Sequence, residues 1–250
     1  MRRGHIHIGT SGWHYAHWVG RFYPEGMDSG DFLSHYVRHF GTVEINNTFY
    51  HLPARRTLVQ WRDAVPARFV FACKASRFIT HMKKLTDPAR STARFLDAIE
   101  VLGNKLGPVL FQLPPRWGVD VGRLTAFLDA LPEGHRFAFE FRDESWFAAK
   151  VYRALADRNA AFCPYDLGGR RSPVEVTADF VYVRLHGPDG PYRGRYDGRT
   201  LAGWRRRLLS WSDAGRDAYV YFDNDENAYA TGDAARLRDM VERERPRSTP

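Results

Sequence analysis

Six apolar runs of this chain end in side chains that can do chemistry. Glu44 and Asn46 close TVEIN, and Lys74 closes FACK. Gln112 closes VLFQ, and Glu140 and Arg142 close FAFEFR. Arg184 and His186 close VYVRLH, and Asp223 with Asn224 closes YFDN. A carboxylate at the end of an apolar run is costly to bury without a partner, so such groups need a role. Carboxylates, imidazole and amine pass protons, and Lys and Arg hold anions, Arg with a bidentate fork. Glu44, Lys74, Glu140 and His186 are therefore the candidate catalytic residues. Paired titratable groups in unlike environments separate into acid and base, but the sequence does not say which carboxylate takes which part. An alternative is a divalent metal ion held by Glu44, Glu140, His186 and Asp223, which are suitable oxygen and nitrogen ligands. Arg142 and Arg184 share faces with two of these ligands and weigh against it, so no cofactor is the leading expectation.

These groups converge only if the elements carrying them do. Side chains alternate along a strand, so Glu44 and Asn46, Glu140 and Arg142, and Arg184 and His186 each share a face. Eight strand-like runs are legible: 5–11, 42–47, 68–76, 108–115, 136–143, 160–166, 180–187 and 218–225. Between them lie segments with helical spacing at 30–40, 54–65, 88–103, 121–131, 147–158, 201–213 and 231–244. The interval 167–179 is too short and polar for a full helix, so one unit is truncated. Strands alternating with helices pair in parallel, and eight such units in this length predict an α/β fold, a TIM (β/α)8 barrel-like single domain. A doubly wound open sheet is the rival. A barrel gathers nearly all strand ends at one mouth, whereas an open sheet gathers only those at its switch point. The expected domain spans 1–245, with 246–250 a disordered tail.

The loops that follow the strands supply further candidates. After the first run, GTSGW offers glycines for close backbone approach and Trp13 as an aromatic wall. The glycine-rich segment 187–198 has neither helical nor strand period and reads as a lid or binding loop. The candidate substrate-binding residues are Trp13, Asn46, Tyr50, Gln112, Arg142, Arg184, Tyr192, Tyr196 and Asn224.

Taken together, GTSGW (9–13), TVEINNTFYHLP (42–53), FACKASRFITH (71–81), LFQLPP (110–115), EFRDESW (140–146), RLHG (184–187), YRGRYDG (192–198) and YFDND (221–225) resemble the domain of unknown function 72, or YecE-like, family. The resemblance covers nearly the whole chain. It implies a TIM barrel and a site built from these stretches, but no reaction. Near the last strand the family pattern carries two asparagines, where this chain has Asp223 and Asn224.

Composition bounds the rest. Hydrophobic residues make up 44% of 250, enough for a sizeable core. Cys73 and Cys163 sit in apolar runs and read as reduced core residues. With no signal-like or membrane-length apolar stretch, the expected location is cytoplasmic, with no membrane partner. The net charge of +8 permits anionic partners, but the Arg residues are dispersed. Phosphate-loop and dinucleotide glycine spacings and a hydrolase elbow are absent. The leading expectation is an enzyme (hydrolase, lyase or isomerase) acting on a small anionic or polyhydroxy substrate by acid–base chemistry. The alternatives are a metal-dependent phosphodiesterase, endonuclease or sugar isomerase, and a non-enzymatic module binding nucleic acid or protein. The oligomeric state is not legible.

Overall fold

The computed structural model describes residues 2–244, so the expected tail at 246–250 lies outside the described residues. Ten strands form one sheet: β1 (Ile6–Ser11), β2 (Thr42–Ile45), β3 (Val70–Lys74), β4 (Leu106–Gln112), β5 (Phe137–Glu140), β6 (Ala161–Phe162), β7 (Tyr165–Leu167), β8 (Arg170–Arg171), β9 (Phe180–Leu185) and β10 (Asp217–Phe222). Their spatial order is β6-β5-β4-β3-β2-β1-β10-β9-β7-β8. Every pairing is parallel except β7 with β8. The strand count exceeds the eight expected for two reasons. Pro164 has no N–H to donate and divides the run 160–166 into β6 and β7. The Gly168–Gly169 turn, with both φ positive, then folds β8 back on β7. No helix lies within 167–179, the interval expected to be too short for one.

The two parts of 161–167 face different neighbours. Cys163 N–H donates to Phe139 O at 2.8 Å, toward β5, while Arg184 N–H donates to Pro164 O at 3.0 Å, toward β9.

The crossovers carry the helices: α1 (Phe32–Tyr36), α2 (Asn47–Tyr50), α3 (Arg55–Asp63), α4 (Pro88–Ile99), α5 (Val121–Asp129), α6 (Ala149–Ala156), α7 (Gly198–Asp213) and α8 (Tyr229–Glu244). Their starts follow local chemistry. Pro88 stands at the first turn of α4, where no N–H is needed. The side chains of Asp120 and Asp197 cap α5 and α7 by accepting from the N–H groups of Arg123 and Thr200. No helix among the described residues is long and apolar enough to cross a membrane.

Strand parity divides the interior in two. Val43, Ile45, Phe71, Cys73, Val109, Phe111, Phe139, Val183, Leu185 and Phe222 pack with the apolar stripes of the helices. The opposite face gathers Ala72, Leu110, Ala138, Ala161 and Cys163 with Phe180, Tyr182, Tyr219 and Tyr221. Small residues on β3, β5 and β6 leave room for the rings of β9 and β10. Above this apolar floor, on the same parity, come the charged strand ends.

Gly9 shows how closely β1 and β2 approach. A Cβ there would stand 2.2 Å from Thr42 O, and backbone cannot yield as a side-chain tip can. Gly9→Ala is expected to cost about 1–3 kcal/mol, the usual penalty of overpacking. Urea midpoints with an unchanged m-value would show it.

Candidate active site at the C-terminal strand ends

Register brings the strand ends level. Ser11 lies opposite Glu44, Gln112 opposite Glu140, and Arg184 between Tyr165 and Tyr221. Arg184 is fully buried and is the hub of the cluster. Its Nη2 donates to Glu44 Oε1 at 2.8 Å, Asp223 Oδ2 at 3.0 Å and Ser11 Oγ at 2.9 Å. Its Nη1 donates to Glu140 Oε2 at 3.1 Å. Three carboxylates from β2, β5 and the end of β10 thus share one guanidinium.

Each carboxylate has a further set of partners. Glu44 accepts from the hydroxyls of Ser11 and, at 2.6 Å, Tyr182. Glu140 accepts from Arg142 Nε. Burial acts to raise the Glu140 carboxyl, but the charges of Arg142 and Arg184 overcome it and hold the group well below the usual carboxylate range. Asp223 behaves alike: burial opposes ionisation, yet Arg184 and His186 keep its pKa lowered. The fully buried Glu44 and Glu140 have both oxygens occupied by these partners. Asp223 uses only Oδ2, and its Oδ1 makes no hydrogen bond among the described residues.

His186 is oriented from both sides. Arg142 Nη2 lies 2.8 Å and Arg184 Nη1 3.3 Å from Nε2, and Asp223 Oδ2 lies 2.9 Å from Nδ1. Guanidinium is donor-only, so the tautomer that fits has Nε2 accepting and Nδ1–H donating to Asp223. Arg142, whose guanidinium lies 4.7 Å from the Tyr165 ring centroid, keeps a tenth of its side chain in solvent.

Lys74 differs from all of these. It is buried at the end of β3, yet Nζ makes no hydrogen bond or ion pair among the described residues. Nζ stands 4.3 Å from the centroid of the Phe49 ring. Burial, aided by the nearby Arg184 charge, lowers its pKa to about 8 against the pull of Glu44, Asp223 and Glu140. Asn46 donates through Nδ2 to Ser11 Oγ at 2.7 Å. The Ser11 proton goes to Glu44, so the amide cannot turn round, and Asn46 Oδ1 remains a buried acceptor without a partner among the described residues.

The structure therefore brings together Glu44, Asn46, Lys74, Glu140, Arg142, Arg184, His186 and Asp223. Gln112 stands beside Glu140 but gives its Nε2 donor to Leu113 O at 2.8 Å. Tyr192 reaches the cluster edge-on to the His186 ring, at 5.8 Å, and remains 46% exposed. Four expected residues make their contacts elsewhere. Trp13 packs against Trp61 and Phe71 in the helix-facing core. Tyr50 lines a separate cleft with Asn47, His51 and Trp61. Buried Tyr196 accepts from Gly187 N–H at 2.9 Å, and Asn224 bridges Gly194 O and Asp233 at 2.8 and 2.9 Å. These last two, with Tyr192 N–H on His186 O at 2.7 Å, stitch the segment 187–198 down. It is an anchored loop rather than a free lid. Gly187 lets it start: its φ is 112°, and a Cβ would meet Arg193 O at 2.2 Å.

Sequence reading missed Ser11 and Tyr182. Ser11 continues the β1 parity of His7 and Gly9 to the strand end, a signal that was there to use. Tyr182 sits one pleat below Arg184, and only the small residues across from it let its hydroxyl reach Glu44. The four residues considered as metal ligands converge, but on Arg184: the guanidinium occupies the space between their carboxylates. Among the described residues, no group of three or more His, Cys, Asp or Glu is arranged to hold a metal ion. The donor set thus does not fit a divalent ion.

Comparison with known proteins adds the following. The family model described as "Protein of unknown function DUF72" matches residues 7–250. The chain is similar to UPF0759 protein YunF of Bacillus subtilis, 28% identical over 95% of both chains. It is similar to UPF0759 protein YecE of Escherichia coli, 32% identical over 57% of this chain and 50% of that one. The crystal structure of a DUF72 family protein from Thermotoga maritima superposes with a TM-score of 0.87 and 27% identity, over 95% of this chain and 99% of that one.

Proposed function

The chain belongs to the DUF72 family, and from the geometry of its strand ends we propose that it is an enzyme acting on a small anionic, hydroxyl-bearing substrate by acid–base chemistry. We read the sheet as a closed (β/α)8 barrel whose sixth strand is 161–167, because that segment bonds to β5 on one side and β9 on the other. On this reading the cluster lines the C-terminal mouth, where active sites of such barrels are built.

One observation carries the proposal: Lys74 is a buried cation with no hydrogen-bonding or ionic partner among the described residues, beside a network in which every other charge is committed. A buried charge without a partner is expensive and is retained where function uses it. Lys74 and Arg142, a tenth of whose side chain is in solvent, bind the anionic group. Asn46 Oδ1 and Asp223 Oδ1 are acceptors without a partner among the described residues and suit substrate hydroxyls. Lys74, with a pKa of about 8, gives and takes protons near neutral pH, and Asp223 offers the carboxylate oxygen that can receive one. Glu44, Glu140 and Arg184 are positioning residues, and His186 orients Asp223.

The test is sulfate binding followed by calorimetry, since sulfate keeps its charge throughout the range. Lys74 is charged below about pH 8 and neutral above it. Affinity should therefore fall on the order of tenfold as pH rises from about 6.5 to about 9.5. Affinity that is constant over that range, or no binding at all, would remove Lys74 from the anion site.

A further inference from the structure

Lys74 raises a question that anion binding alone does not answer. Arg is the better anion fork, and the site already has Arg142 at its edge. What distinguishes lysine is that its neutral form is a nucleophile. The surroundings of Nζ favour that form on geometric grounds. It is buried and makes no hydrogen bond or ion pair among the described residues, and the Phe49 ring beneath it, held edge-on by Tyr50 and His81, is the one contact that favours the ammonium. Burial and the neighbouring Arg184 charge both act against the ammonium. Desolvation beside another cation is a recognised way of activating a lysine amine.

We propose that Lys74 is a covalent nucleophile that forms a Schiff base with an aldehyde or ketone bearing an anionic group. This rests on the anionic-substrate reading above and narrows it. The Nζ lone pair attacks the carbonyl carbon, and the carbonyl π pair moves to oxygen. That oxygen takes one amine proton to give a carbinolamine. The second amine proton leaves with the hydroxyl as water, forming C=N, with one water lost per adduct and no oxidant or reductant consumed. In this step Asp223, whose charge acts on Lys74 and whose Oδ1 makes no hydrogen bond among the described residues, ferries the proton between nitrogen and oxygen, while Arg142 holds the anionic group. A protonated imine then withdraws electrons from the neighbouring carbon. The chemistry that follows is proton transfer or carbon–carbon cleavage next to the carbonyl, so isomerase or lyase replaces hydrolase among the expected classes.

Borohydride trapping tests it. Hydride reduces C=N to a stable secondary amine, and the chain has only five lysines to map: Lys74, Lys83, Lys84, Lys105 and Lys150. The intact protein is treated with glyceraldehyde 3-phosphate or pyruvate and borohydride, then digested and analysed by mass spectrometry. The expected result is an adduct on Lys74 at least about tenfold above those on the exposed Lys83, Lys84 and Lys150. Sulfate should protect it, unphosphorylated glyceraldehyde should label it far less, and Lys74→Met should remove it. Labelling spread evenly over the exposed lysines, or none at Lys74 with either probe, overturns the proposal. If sulfate still binds with the expected pH dependence in that case, only the covalent step falls. If sulfate binding fails too, the anionic-substrate reading falls with it.

Discussion

Lys74→Met is expected to make the protein more stable at pH 7 while abolishing sulfate binding and borohydride trapping. In the folded chain the Lys74 pKa is lowered from 10.5 to about 8. At about 1.4 kcal/mol per tenfold, the charged form is disfavoured by up to about 3 kcal/mol relative to the unfolded chain. Below about pH 8 both states carry the proton, and this cost is present in full. Between about 8 and 10.5 the unfolded state binds more protons, so wild-type stability rises with pH. Above that range both states are neutral and the cost is gone. The advantage of the variant should therefore be greatest at neutral pH and vanish in strong alkali, as read from urea midpoints at several pH values. Methionine keeps most of the volume, so no cavity confuses the comparison. Stability gained as function is lost is the signature of a group retained for what it does. A Lys74→Met chain less stable than wild type at pH 7 would mean that the ammonium is structurally favourable where it lies.

Arg184→Met should do the opposite. Removing one partner of a buried ionic network strands the others, at a cost of about 3–5 kcal/mol. Here three carboxylates, Glu44, Glu140 and Asp223, would lose a shared guanidinium. Arg184→Lys should recover little, because one ammonium cannot reproduce a planar fork with donors to all three. Glu140 and Asp223 have depressed pKa values, so what Arg184 contributes through them is present above their ordinary values and fades as pH falls. The gap between variant and wild type should narrow toward pH about 4, as the stranded carboxylates protonate. A loss below about 1 kcal/mol at pH 7 would show that the network does not depend on its hub.

The contrast between these two residues also shows how far the sequence could be read. Strand parity alone placed Glu44, Lys74, Glu140, Arg184 and His186 at one rim, because alternation and apolar runs are local signals. Helix positions were legible for the same reason, since the stripe Phe95, Ile99 on α4 is written in neighbouring residues; the caps Asp120 and Asp197 went unread, and α7 begins at Gly198, ahead of the expected 201. Which charges pair was not legible. On paper Glu140 with Arg184 and Glu44 with Lys74 were the plausible ion pairs; the structure makes the first, but gives Glu44 to Arg184 as well and leaves Lys74 without an ion pair among the described residues. Trp13, Tyr196 and Asn224 carried the right chemistry for a site but face the helix layer or anchor a loop. Side-chain direction after a strand ends depends on loop geometry, which has no period to read. The division at Pro164 was visible as a residue, yet its consequence, one segment bonding to two different strands, is a tertiary fact.

The central claim is that Lys74 carries an uncommitted amine poised near neutral pH. Lysine labelled with carbon-13 and nitrogen-15, its Lys74 signal assigned by loss in Lys74→Met, can be titrated directly by NMR. A midpoint at about 8 is the predicted result, while one at or above the ordinary 10.5 would contradict the account.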